Sequence, residues 1–168
     1  MAAKKPDAVA LLKADHRKVE ELFEKFKQGE SLDDEALVQE ICTELTIHSM
    51  LEEEIFYPAC QGKVEEDLLK EGYVEHDAAK MLIAEILAGE PSDEFFDAKM
   101  KVLKEEIEHH VKEEERQADS MFSQARKSDI DLETLGEELA RRKQELQQQI
   151  EQQGLPPIQT RTLEQAQI

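Results

Sequence analysis

The sequence predicts an all-α protein: an up-down-up-down four-helix bundle followed by an additional C-terminal helix. Three observations carry this expectation. Apolar residues recur at alternating steps of three and four along most of the chain, the period of a helix with one buried face. No stretch sustains the every-second-residue alternation of a half-buried strand. Breaks fall near Gly29, at Gly62, at Gly89 with Pro91, around Ser128, and at Gly154 with Pro156 and Pro157, so 168 residues divide into five helix-length pieces joined by short connections, as antiparallel neighbours require. The composition agrees: 39% of residues are hydrophobic but only 5% aromatic, and Trp is absent.

The first helix, about 7–28, has an interior seam of Val9, Leu12, His16, Val19, Phe23 and Phe26, in which His16 is the polar member. The second, about 32–60 with Ser31 as N-cap, runs Val38, Ile41, Leu45, His48, Glu52, Ile55, Ala59. The third, about 64–89, runs Leu69, Tyr73, His76, Lys80, Ile83, Leu87. The fourth, about 93–127 with Ser92 as N-cap, runs Phe96, Met100, Leu103, Ile107, His110, Glu114. The fifth, about 131–152 with Asp131 as cap, has a narrow stripe of Leu132, Leu135, Leu139, Leu146 and Ile150, suited either to capping the bundle or to pairing with a second copy. The expected organisation is a metal-binding bundle over 1–128, an amphipathic helix over 129–153, and a flexible tail over 154–168 with no evident chemistry.

One histidine on an apolar face is more often a satisfied core residue than a ligand. Here each of the first four helices carries a seam histidine, and the second and fourth add a glutamate at i+4, where side chains are neighbours. Burying two carboxylates without compensation costs several kcal/mol each, by order of magnitude. Lys80 is the one seam cation, too little for Glu52 and Glu114 together with four imidazoles, whereas divalent metal suffices. In an antiparallel bundle the six residues fall in compatible layers. Nitrogen and carboxylate donors without thiolate suit iron or manganese, and also zinc, but not copper(I). Two facing glutamates can bridge two ions and leave open positions for a small ligand. His109 lies about 100° around the helix from His110, so the pair His109 with Glu113 has the same spacing on the wrong face.

A formal charge of −19 repels phosphate backbones and anionic lipid, so neither nucleic acid nor a membrane is an expected partner. The N-terminal residues lack the apolar run of a signal peptide, and no stretch approaches the ~20 apolar residues of a membrane span. Cys42 and Cys60 lack any disulfide or zinc spacing, which suits reducing cytoplasm.

The strings DHRKVEELF, HSMLEEEIFYP, EHDAAKMLI and HHVKEEE, in that order on consecutive helices, resemble the hemerythrin-like HHE cation-binding domain over roughly residues 7–127. The resemblance implies that His16, His48, Glu52, His76, His110 and Glu114 ligate two iron ions per chain, bridged by the glutamates and by an oxo or hydroxo group, with Tyr73, Lys80 and His109 flanking. Two departures stand out. Oxygen carriers of the family have a second histidine where this chain has Lys80, leaving water, a carboxylate or Tyr73 to complete one ion. RQADSMF follows HHVKEEE in place of an early Phe-Pro, so the fourth helix is expected to run about a turn longer. The implied function is a non-haem di-iron protein that binds or reacts with dioxygen, peroxide or nitric oxide in stress response or redox sensing. Two other readings are a helical interaction protein with a structural or vestigial site, forming a homodimer through its C-terminal helix, and iron storage or delivery.

Overall fold

The structure, a computed structural model, describes residues 5–28 and 34–163, all helical or connecting with no strand among them. Asp7 opens α1 (Ala8–Gln28) by accepting a hydrogen bond from the Ala10 amide at 2.9 Å. The second helix is α2 (Asp34–Leu51), which passes through a π-helical turn, Glu52–Phe56, into α3 (Tyr57–Cys60). The expected cap Ser31 lies outside the described residues. Helix α4 spans Glu66–Ala88, and α5 spans Phe96–Val111 and ends in a second π-helical turn, Lys112–Arg116. Helix α6 (Met121–Lys127) is short, and α7 (Leu132–Gln153) starts at the expected cap, where Asp131 accepts from the Thr134 amide at 3.1 Å.

Helix α1 packs on α2, α2 on α4 and α4 on α5, giving the four-helix bundle, while α7 lies across α1 and α2 as the fifth helix. The apolar stripe of α7 thus caps the bundle: Leu139 and Leu146 are buried in one cluster with Leu12 and Leu51. No helix among the described residues is long and apolar enough to cross a membrane.

Four sequence expectations need correction. The fourth helix starts at Phe96 without Ser92 as cap, because the Asp93 carboxylate folds back to accept the Glu90 amide at 2.8 Å and completes a turn there. It does not run to 127: Gln117 is extended, with ψ 154°, and Ser120 caps α6 by accepting from the Ser123 amide. That turn brings Met121 and Phe122 back into the core, 2% and 1% exposed. In the second helix the π turn inserts an extra residue, rotating the helix beyond it by about 100°. Phe56, Tyr57 and Cys60 are therefore buried where Ile55 and Ala59 were expected. At the end of α4, Ile86 is buried and Leu87 exposed, the drift expected of a 3.6-residue helix read at 3.5.

The core is layered. One apolar cluster holds Leu12, Leu51, Leu69 and Met121; the other holds Val19, Leu45, Ala79 and Leu103. Between them, on all four bundle helices, lies a polar layer that contains His16, His48, His76 and His110.

Candidate metal centre

In that layer the four seam histidines are buried and turn their Nε2 atoms toward one another. His16 Nε2 and His48 Nε2 are 3.0 Å apart, and His76 Nε2 and His110 Nε2 3.3 Å. Glu52 and Glu114, 0% and 1% exposed, fill the space between the pairs. Glu52 spans both: its Oε1 lies 3.2 Å from His48 Nε2, and its Oε2 3.1 Å from His76 Nε2 and 3.7 Å from His110 Nε2. Glu114 Oε2 lies 3.3 Å from both His16 Nε2 and His110 Nε2. All six seam residues expected at the centre are brought together, in two groups that share Glu52: His16, His48, Glu52 and Glu114, and Glu52, His76 and His110.

Whether these groups suit an ion is a question of donor spacing. Two donors about 2.1 Å from one ion and at right angles to each other lie about 3 Å apart. The Nε2 separations match that value. Glu52 Oε1 and Glu114 Oε2 are buried without any hydrogen bond, although each faces histidine nitrogens. Such orphaned carboxylate oxygens are costly unless a cation takes them. The donors fit a metal cation, in two groups that share Glu52.

Each histidine has a carboxylate of another helix behind it, hydrogen-bonded in the case of His76 and His110. His76 Nδ1 lies 3.1 Å from Glu53 and His110 Nδ1 2.7 Å from Glu75, both within hydrogen-bond reach; His16 and His48 have Glu115 and Asp15 at 3.6 Å. A carboxylate on Nδ1 fixes the tautomer that leaves Nε2 free to ligate. The carboxylates are held in turn: Asp15 by Lys143 of α7, Glu53 by Lys80 at 2.6 Å and Arg161 at 2.9 Å, Glu115 by Arg17, and Glu75 by His109 at 3.3 Å.

The π turns explain how neighbouring glutamates face the same way. Each takes in the glutamate of an H-x-x-x-E segment and contains three glutamates in a row, and the widened turn lets two consecutive ones point inward. Glu52 and Glu114 reach the centre; Glu53 and Glu115 reach the backs of histidines.

Of the flanking residues, Lys80 and His109 stand behind the histidines on Glu53 and Glu75, and Tyr73 stands farther out. The phenol at the centre is that of Tyr57, whose hydroxyl donates to Glu114 Oε1 at 2.7 Å and lies 3.3 Å from His76 Nε2. Tyr73 is half-buried and packs edge-on against the Tyr57 ring, centroids 5.0 Å apart. Lys80 pairs with Glu53 and Asp77, not with Glu52 or Glu114. His109 is exposed and touches Glu75 and Glu113. Phe122 stacks on His16 at 5.7 Å, closing one side with an apolar ring.

Burial alone would lower the His48 imidazole, but the nearby Glu52 and Asp15 carboxylates raise it to about 10. Burial likewise opposes the charge on His110, yet Glu114, Glu52 and Glu75 push it well above the ordinary range. Burial would raise the Glu52 carboxyl, but His48, His110 and His76 hold it well below its usual value. For Glu114, burial and Glu52 raise while His110 and His16 lower, leaving about 2. Burial and the charges of Glu114 and Glu52 push the Tyr57 phenol well up, so it stays a donor. Cys42 and Cys60 are buried and pushed up to about 12, which makes them inert packing thiols.

Comparison with known proteins gives three findings. The family described as "Hemerythrin HHE cation binding domain" matches residues 7–122. A protein of Nostoc sp. named "DNA nickase" is 32% identical over 109 residues, 62% of this chain, which spans only 30% of that protein's length. The crystal structure of a hemerythrin HHE cation binding domain-containing protein from Mycobacterium kansasii superposes with a TM-score of 0.73 at 25% identity, covering 89% of this chain and 95% of that one.

Proposed function

The chain belongs to the hemerythrin HHE cation-binding family, and from that premise we propose that it is a cytoplasmic non-haem di-iron protein that binds or reacts with a small ligand, dioxygen, peroxide or nitric oxide, in stress response or redox sensing. The observation that carries this reading is the convergence of four Nε2 atoms on two carboxylates that each keep one buried oxygen without a hydrogen bond, with Glu52 common to both groups. His16, His48, Glu52 and Glu114 would hold one ion, and Glu52, His76 and His110 the other. Iron held there supplies an open coordination position and two accessible oxidation states.

The rest of the chemistry belongs to the side chains. Tyr57 donates a hydrogen bond to Glu114 Oε1 and so orients that carboxylate. Phe122 and the apolar clusters on either side keep bulk water out. The cavity lined by the four histidines measures about 30 Å³, room for about two water-sized molecules. That supports a ligand of two to four atoms over any larger substrate. Lys80 engages Glu53, so an ion held by His76 and His110 would have those two nitrogen donors alone, which supports reaction over dedicated oxygen carriage. DNA nicking is named for the Nostoc relative alone, and a charge of −19 opposes a phosphate backbone.

The test is iron content and the visible spectrum after anaerobic loading with ferrous iron and then air. Two irons per chain and new charge-transfer bands are expected. Glu52→Ala should hold fewer than two; a variant that still holds two excludes the shared bridge. His110→Ala should lose iron and His109→Ala keep it, and the reverse would move the site to the outer face of α5.

A further inference from the structure

Residues 154–163, read from sequence as a tail without chemistry, run back across α2 and α4 to the rear of the His76 half of the centre. Asp77, 1% exposed and next to His76 on α4, is the anchor. Its carboxylate accepts the Arg161 amide at 2.9 and 3.0 Å, the Thr162 amide at 2.6 Å and the Thr162 hydroxyl at 2.7 Å. The Gln159 carbonyl accepts Lys80 Nζ at 3.0 Å. Arg161 Nε donates to Glu53 Oε2 at 2.9 Å, while Glu53 Oε1 takes Lys80 Nζ at 2.6 Å and lies 3.1 Å from His76 Nδ1.

From this chain of contacts we infer that the tail is a working part of the centre: Arg161 and Lys80 are positioning residues that fix both oxygens of Glu53, and Glu53 in turn fixes the ring of His76. The inference rests on the metal reading above. A carboxylate bonded on one oxygen only can swing about its Cγ–Cδ bond; cations on both oxygens remove that freedom. The ligand ring behind which it sits is then held in its ligating orientation before an ion arrives, so less ordering is left for binding to do. Asp77 has a matching part. A buried carboxylate on the bundle surface, taken up by two backbone amides and a hydroxyl of residues 161–162, places the Arg161 side chain over Glu53.

A clamp and a mere cover make different predictions. A cover slows uptake and release alike and leaves affinity unchanged. A clamp acts on affinity, so uptake and release no longer change by the same factor.

The experiment is anaerobic ferrous iron binding to the full chain, with uptake followed on mixing and release followed into excess chelator, for the parent, Arg161→Ala, Arg161→Lys and Asp77→Asn. Arg141→Ala is the control, since Arg141 is an exposed α7 residue paired with Glu145. Loss of a residue supporting a metal ligand typically weakens binding by about 10–100-fold. For Arg161→Ala we expect the lower part of that range, on the order of tenfold, for one of the two ions, with uptake and release changing by different factors. The same loss is expected in Asp77→Asn, partial recovery in Arg161→Lys, and none in the control. Uptake and release rising together at constant affinity would make the tail a cover and overturn the inference, as would parent-like binding in both Arg161→Ala and Asp77→Asn. A parent that takes up no iron overturns the metal reading and the clamp with it, whereas a parent that binds two ions isolates the clamp as the point at issue.

Discussion

Gly72 on α4 is what admits Tyr57 to the centre. A Cβ at this position would stand 2.6 Å from the Tyr57 hydroxyl oxygen and 3.0 Å from its Cζ. Alanine is the better helix former by about 1 kcal/mol, so local preference alone predicts that Gly72→Ala stabilises α4. The ring it meets is wholly buried between Phe56 and His76 and has nowhere to go. Overpacking of this kind costs about 1–3 kcal/mol, and we expect a lowered melting temperature together with loss of the Tyr57–Glu114 bond; thermal unfolding of the variant checks it, and a raised midpoint would mean the ring gives way freely. The sequence made the six donors legible because each interrupts an apolar seam at helical spacing. Tyr57 was not legible as a site residue, since a π turn breaks the spacing on which seam reading depends. Asp15, Glu53, Glu75 and Glu115 were hidden differently: in a chain with forty acidic residues, a carboxylate beside a ligand reads as solvated surface. Their one signature is adjacency, in Asp-His, Glu-His and two triple-glutamate runs.

Among the elements, α7 has one contact with α1 that leaves no room for a side chain. Gly136 meets the start of α1 so closely that a Cβ would come within 2.7 Å of the Pro6 carbonyl oxygen and 2.8 Å of the Ala8 nitrogen. Both are backbone atoms and cannot step aside as a flexible side chain would. Gly136→Ala should therefore cost about 1–3 kcal/mol or more and lift α7 while sparing α4 and α5. Hydrogen exchange would show this as faster exchange confined to α7 and the start of α1; uniform acceleration would mean the bundle does not stand without its fifth helix. The stripe of α7 was readable from Leu132 to Ile150, but its partner was not, because a narrow apolar stripe serves a neighbour in the same chain as well as one in another copy. Breaks within the fourth helix were unreadable for a similar reason: Arg116 to Phe122 contains neither Gly nor Pro, and only burial of Phe122 against His16 decides that the chain turns.

At the level of the whole molecule, a metal at the proposed centre would compete with protons for the same atoms. His48 has a folded value of about 10 against an ordinary 6.5, so its charge contributes to the metal-free fold fully below about pH 6.5, and this contribution is lost as pH rises through about 10. An ion must displace that proton, so metal uptake strengthens as pH rises over the same window. The melting temperature of the metal-free protein should fall from pH 6.5 toward 9 while that of the iron-loaded protein holds, widening the gap between them; parallel curves would show that His48 does not exchange its proton for metal. The braces behind the histidines have a further consequence. Asp15 of α1 stands behind His48 of α2, Glu53 of the second helix behind His76 of α4, Glu75 of α4 behind His110 of α5, and Glu115 after α5 behind His16 of α1. The sequence of braces closes on itself, and no helix keeps both a ligand and the carboxylate that steadies it. A designer who transplants one H-x-x-x-E helix into another bundle carries over the donor and leaves its support behind. The smallest portable unit of this centre is all four helices at once.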